Sequence, residues 1–255
     1  MMTETEYEIL KESFYRLIEN QILIDNQTQL LHTSTGISIH GSRFNNITLA
    51  DSMIRDHLSA SEIRRLMKLN QPNTRKQFYV GRVLAKRSLF DIINQDQIDF
   101  QSFSIENEKH GKPFFNLNDS KIKFNGAISI SHKDGYVVAA CRRNGIIGVD
   151  CERLARHNGV ARRISKIHSH EEIRLFTELL SKSIPSLNLM NSEIVIWSAL
   201  EAGFKAFSSI SSKSPLEYKL SIENDNIVVH SSDNIQNQKP VFFAHAGNYI
   251  LTIVA

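Results

Sequence analysis

Apolar residues recur at helical intervals over residues 5 to 33, where Ile9, Leu10, Phe14, Leu17, Ile18, Ile22 and Leu23 fall one, three or four apart. That spacing predicts a first helix. Residues 35 to 50 lose the period and read as strand and loop. Leu58-Ser59-Ala60-Ser61-Glu62 then has the pattern of a helix start, with Ser59 as N-cap and Glu62 three residues on, as in a capping box. The helix runs to about Leu69 and is broken by Gln71-Pro72-Asn73. A second helix is expected from about Thr74 to Asn94, with Phe78, Val80, Leu84 and Leu89 on its apolar positions.

From Phe124 the period shortens to two. Ala127 to His132 alternates small or apolar with polar residues, Lys133-Asp134-Gly135 is a turn, and Tyr136 to Cys141 is a buried strand. Together they predict a hairpin. Arg143-Asn144-Gly145 is the next turn, and Ile146 to Glu152 a third strand. Helical pattern returns over about 158 to 182 and 192 to 208. Strands follow at Tyr218–Ile222, Asn226–His230, Pro240–Ala244 and Tyr249–Val254. Helices followed by strands thus occur twice, without the βαβ alternation of a doubly wound sheet. The expected fold class is α+β, in two similarly sized halves, 1–143 and 144–255, that meet near Arg143 to Gly145.

Composition narrows the class. A 255-residue chain that is 41% hydrophobic and 22% charged, with 14 Phe, is expected to be globular. The net charge of +3 confines any basic feature to a local patch. Cys141 and Cys151 both lie in apolar runs and read as reduced core thiols. The acidic start MMTETEYEIL lacks the basic and apolar regions of a signal peptide, and no apolar run approaches the length of a membrane span. A cytoplasmic protein is expected.

Candidate chemistry begins at Gly148-Val149-Asp150-Cys151-Glu152. Strand residues two apart share a face, so Asp150 and Glu152 project together while Cys151 turns away. Mg²⁺ is usually held by one or two carboxylates plus substrate phosphates and water, which such a pair suits. Two solvated carboxylates at a strand end are the ordinary alternative. In Trp197-Ser198-Ala199-Leu200-Glu201-Ala202-Gly203-Phe204-Lys205, Glu201 and Lys205 are four apart and share a helix face. A carboxylate beside an ammonium suits a metal–phosphate site, and the strongly apolar helix around the pair favours a cleft over an open surface.

Between Arg64 and Arg87 stand eight cations (Arg64, Arg65, Lys68, Arg75, Lys76, Arg82, Lys86, Arg87) and no Asp or Glu. This predicts an anion-binding surface. A small ligand with several phosphates is preferred to nucleic acid, because no stacking aromatics are interleaved at the spacing of a nucleic-acid site and the net charge is low. His110-Gly111-Lys112-Pro113-Phe114 presents Lys112 on a tight turn. Ser131-His132 ends a strand; neighbouring strand residues face opposite sides, so they read as phosphate donors and not as a nucleophile–base pair, with a lone satisfied histidine the ordinary alternative.

Taken in order, Gly81-Arg82, Gly111-Lys112-Pro113, Ser129-Ile130-Ser131-His132, Gly148-Val149-Asp150-x-Glu152 and Trp197-x-x-x-Glu201-Ala202-x-x-Lys205 resemble one family. It is the 4′-phosphopantetheinyl transferases of the surfactin-synthetase-activating type, with Ile-Ser-Ile-Ser-His leaning toward the branch that serves siderophore synthetases. The resemblance covers about residues 58 to 222. It implies two α+β halves related by a pseudo-twofold axis, with coenzyme A in the cleft between them. It also implies a Mg²⁺-dependent enzyme that transfers phosphopantetheine from coenzyme A to a serine of an apo acyl or peptidyl carrier protein. Adenosine 3′,5′-bisphosphate is the second product, and the enzyme is a monomer that needs neither nucleic acid nor membrane. By position, Asp150, Glu152 and Glu201 match the metal ligands, and Glu201 also the base for the carrier serine. Lys205, Ser131 and His132 match contacts to the coenzyme's phosphates, and Lys112 one near the nucleotide. Arg65 falls where the family often carries a cation for the 3′-phosphate, and Arg82 joins the coenzyme-binding cations.

The sequence departs from the family twice. The usual Trp-x-x-Lys-Glu-Ala has Leu200 in place of the lysine, and the glycine-rich turn after that helix is replaced by Ser208 to Ser214. Leu200 motivates one rival, an inactive coenzyme- or carrier-binding homologue. The basic segment motivates the other, an RNA-binding protein.

Overall fold

A computed structural model describes residues 28–32, 36–45, 47–93, 99–117, 124–155, 158–183, 189–207, 214–246 and 248–255. The helix expected from residue 5 lies mostly outside them. Its last part is a correction: Thr28–His32 is a strand, β1, paired antiparallel with Ile37–Arg43, β2. The apolar positions that carry the helical reading end at Leu23, and pairing with β2 settles the conformation of 28–32.

The chain divides into two compact units between Ile147 and Gly148. In the first, helices α1 (Asp51–His57), α2 (Ala60–Met67) and α3 (Pro72–Ile93) precede a two-stranded ribbon, β3 (Ser104–Asn107) with β4 (Pro113–Asn116). The hairpin β5 (Ala127–Lys133) and β6 (Tyr136–Arg142) then completes a sheet of order β1-β2-β6-β5. The predicted hairpin is present in register, with Ser131 opposite Val138 and His132 opposite Val137. Its turn holds Asp134 and Gly135 at φ of 42° and 91°. Both central residues of the tightest hairpin turns need positive φ, which glycine supplies without strain.

The capping box at α2 is also as predicted. Glu62 N donates to Ser59 Oγ (3.4 Å), and Ser59 N to Glu62 Oε2 (3.0 Å). Pro72 starts α3 instead of merely ending α2, since proline's missing N–H costs nothing at a first helical position. Helix α3 lies over the sheet. A Cβ on Gly81 would sit 3.3 Å from Ile130 Cγ2, so glycine here brings α3 close to the hairpin. Leu58, Leu66, Val80, Leu84, Ile105 and Val137 form the core between these layers.

Helix α1 and the ribbon were not predicted. Helix α1 starts at Ala50 with no side-chain cap, and the ribbon strands are four residues each, too short to show a period.

The second unit carries β7 (Gly148–Arg153), helices α4 (Asn158–Ile164), α5 (His170–Ser183) and α6 (Leu189–Phe207), then β8 (Tyr218–Glu223), β9 (Asn226–Ser231), β10 (Asn234–Ala246) and β11 (Tyr249–Val254). Its sheet runs β7-β11-β10-β9-β8, antiparallel throughout, with α6 packed on β7, β11 and β8. The fold class is α+β, as expected. Both cysteines are buried, and neither forms a disulfide. Among the described residues no helix is long and apolar enough to cross a membrane.

Candidate functional site

In the second unit, β7 and α6 meet at a glycine. Gly148, Asp150 and Glu152 share a strand face, and a Cβ on Gly148 would lie 1.9 Å from the Ala202 carbonyl oxygen and 2.6 Å from Ala206 N. Only a residue without a side chain lets the backbone of α6 lie this close to β7. Gly148→Ala should therefore lower stability by about 1–3 kcal/mol, as overpacking does. Thermal unfolding checks it, and an unchanged melting temperature would contradict the close approach.

The approach sets the face of α6 that carries Ser198, Glu201, Ala202 and Lys205, at helical positions i, i+3, i+4 and i+7, against Asp150 and Glu152. Ligand atoms of Asp150, Glu152 and Glu201 all lie within 4.8 Å of one another. Asp150 is 2% exposed and Glu152 8%, which excludes a pair of solvated strand-end carboxylates. Asp150 is tied on both oxygens: Lys205 Nζ donates to Oδ1 (2.7 Å) and Ser198 Oγ to Oδ2 (2.8 Å). Burial by itself pulls the Lys205 ammonium down; the Asp150 carboxylate and then Glu201 outweigh it and hold the amine above the usual lysine range.

These residues fit Mg²⁺. The donors are hard carboxylate oxygens on rigid elements. Thr252, opposite Asp150 in the β7–β11 register, is fully buried, and its hydroxyl makes no hydrogen bond to the described residues. A buried hydroxyl left unpaired beside carboxylates marks a place for a polar ligand. Neither Ser198 nor Thr252 emerged from the sequence. Ser198 does fall one turn before Glu201 on an apolar helix, and that was its only signal.

Leu200 is fully buried, as are Val195, Ile196 and Ala199. The position where the resemblance expects lysine belongs to the apolar core and supplies no cation. The Ser208-to-Ser214 turn lies outside the described residues except for Ser214, which precedes a short helical turn.

In the first unit, Arg65, Arg82 and the Lys112 turn converge on Asn107. Arg65 Nη1 (3.3 Å) and Arg82 Nη2 (3.2 Å) both donate to Asn107 Oδ1. Asn107 Nδ2 donates to the Gly111 carbonyl (2.8 Å), which fixes the β3–β4 turn that bears Lys112. The Phe78 ring lies under both guanidiniums, 4.6 Å from Arg82 Cζ and 5.6 Å from Arg65 Cζ. Burial draws Arg82 down to about 10, against the pull of Glu62. Burial also lowers Lys112, opposed by Glu108. Ser131 is buried and His132 exposed, on opposite faces of β5.

The basic segment is not one anion-binding surface. Lys86 is fully buried, with Nζ 2.6 Å from Glu62 Oε2 and 2.6 Å from the Phe100 carbonyl oxygen. Glu62, its balancing charge, lies just outside the run of cations over 64–87.

No protein-family profile matches the chain, and no curated protein matches it. Solved structures do. A holo-(acyl-carrier-protein) synthase from Bacillus anthracis, in complex with CoA (3′,5′-ADP), is 22% identical over 42% of this chain and 93% of its own, at a TM-score of 0.38. A holo-[acyl-carrier-protein] synthase from Thermotoga maritima is 21% identical over 49% of this chain and 79% of its own, at a TM-score of 0.35.

Proposed function

We propose that this protein is a Mg²⁺-dependent 4′-phosphopantetheinyl transferase that moves the phosphopantetheine arm of coenzyme A onto a serine of an apo carrier protein. The observation that carries the reading is the convergence of Asp150, Glu152 and Glu201 within 4.8 Å, with Lys205 on Asp150. The ordered motifs of the sequence point the same way, toward the surfactin-synthetase-activating type and its siderophore-synthetase branch.

Asp150, Glu152 and Glu201 would hold the metal ion. Bound there, Mg²⁺ supplies positive charge to the coenzyme's diphosphate. The Lys205 ammonium stabilises the negative charge that develops on the phosphoryl oxygens. Glu201 accepts the proton of the carrier serine as its oxygen attacks the β-phosphorus. The bond from that phosphorus to the bridging oxygen breaks, and adenosine 3′,5′-bisphosphate leaves. The resemblance also assigns coenzyme contacts to Arg65, Arg82, Lys112, Ser131 and His132.

The experiment is incubation of the protein with coenzyme A, Mg²⁺ and a panel of apo acyl and peptidyl carrier proteins, read by intact mass. The expected result is a phosphopantetheine mass gain on at least one carrier, lost in chelator. Buried Leu200 favours a second reading, a homologue that binds coenzyme or carrier without transfer. No mass gain on any carrier, together with retained coenzyme binding, would establish that one instead.

A further inference from the structure

Ser198 is a buried polar residue bonded to one of the three carboxylates, and this reading gives it no task. It is 0% exposed, on a helix whose neighbouring residues Ile194, Val195, Ile196, Ala199 and Leu200 are all core. A hydroxyl in such surroundings costs stability unless it is hydrogen-bonded. Among the described residues its one side-chain hydrogen bond is the 2.8 Å donation to Asp150 Oδ2, across 48 residues of chain. Serine has a single hydroxyl proton, so that bond commits its donor capacity to the carboxylate. Lys205 holds the other oxygen at 2.7 Å, and the two donors come from one face of α6. The Asp150 carboxylate is thereby clamped from both ends before any ligand arrives.

We infer that Ser198 is a positioning residue for the metal site: its hydroxyl fixes the rotation of the Asp150 carboxylate so that it, Glu152 and Glu201 present a preorganised set of oxygens to a divalent cation. The inference rests on the metal reading of the site. Partners that orient a ligating carboxylate typically change metal affinity 10- to 100-fold when removed. Losing the serine hydroxyl removes no ligand and no charge, so the effect falls on affinity and not on the number of sites.

The test is a Mn²⁺ titration of the full chain with coenzyme A present, followed by the electron paramagnetic resonance of free Mn²⁺. Circular dichroism and thermal melting verify the fold of each variant. Wild type should bind one ion, and Ser198→Ala should bind it about 10- to 100-fold more weakly while still folding to the wild-type circular dichroism spectrum. Asp150→Asn should lose more, and the Asp150→Asn/Ser198→Ala double variant no more than Asp150→Asn alone, because Ser198 acts through Asp150. Equal Mn²⁺ affinity in wild type and Ser198→Ala would overturn the role of Ser198 and leave the metal site standing. So would additive losses in the double variant. Absence of Mn²⁺ binding to wild type would overturn the metal reading, and this inference with it.

Discussion

Glu152→Gln should reduce phosphopantetheine transfer at least about 100-fold, more than loss of an outer partner of a metal ligand costs. The substitution keeps the side chain's volume and removes one negative charge from three carboxylates whose oxygens lie within 4.8 Å. An amide offers a cation a weaker oxygen and turns an N–H₂ donor toward it. The fold should tolerate the change. Without a cation the three carboxylates repel one another, so neutralising one relieves strain and the variant's melting temperature should equal or exceed that of wild type. Added Mg²⁺ should raise the melting temperature of wild type and leave that of the variant unmoved, since only a ligand that binds the native state stabilises it. Wild-type turnover in Glu152→Gln would rule out this carboxylate as a ligand.

Lys86→Met should destabilise the first unit by about 3–5 kcal/mol, the cost of removing one partner of a buried ion pair. Lys86 and Glu62 are both buried, and their charged atoms are 2.6 Å apart. Burial pulls the Lys86 ammonium below its usual range, opposed by Glu62, so the pair exists because each charge answers the other. Methionine leaves the Glu62 carboxylate with the backbone N–H groups of Ser59 and Ile105, the Ser59 hydroxyl and a 3.8 Å contact to Arg82 Nε. It also takes a donor from the Phe100 and His57 carbonyls. Glu62→Gln in the Lys86→Met background should recover part of the loss, because it removes the uncompensated charge while keeping a capping side chain. Urea unfolding measures both. A loss below about 1 kcal/mol in Lys86→Met would place the pair with exposed ion pairs.

How much of this was legible in advance differs from element to element. The capping box and the Asp134-Gly135 hairpin were readable because their causes are local: a side-chain oxygen three residues from an N–H, and a backbone angle that few residues adopt. Helix α1 and the β3–β4 ribbon were not, because neither carries a cap or a period long enough to count. Strand β1 went the other way. Its residues lie at the end of a span read as helical, and only β2 beside it decided that it is extended. In the site, the alternation of Asp150 and Glu152 and the four-residue step from Glu201 to Lys205 follow from the geometry of strand and helix alone.

The sequence by itself determined which residues share a face, because the strand period of two and the helix period of 3.6 belong to the backbone. It thereby chose the carboxylates and the lysine before any contact was known. The tertiary structure decided which faces meet. It brought Glu201 to Asp150 across 51 positions by way of a glycine that removes one side chain from the interface. It turned Lys86 inward onto Glu62, buried Leu200, and gave Ser198 to Asp150. Packing between distant segments makes those choices. No local period records them, since they arise from the cost of burying a charge or hydroxyl without a partner.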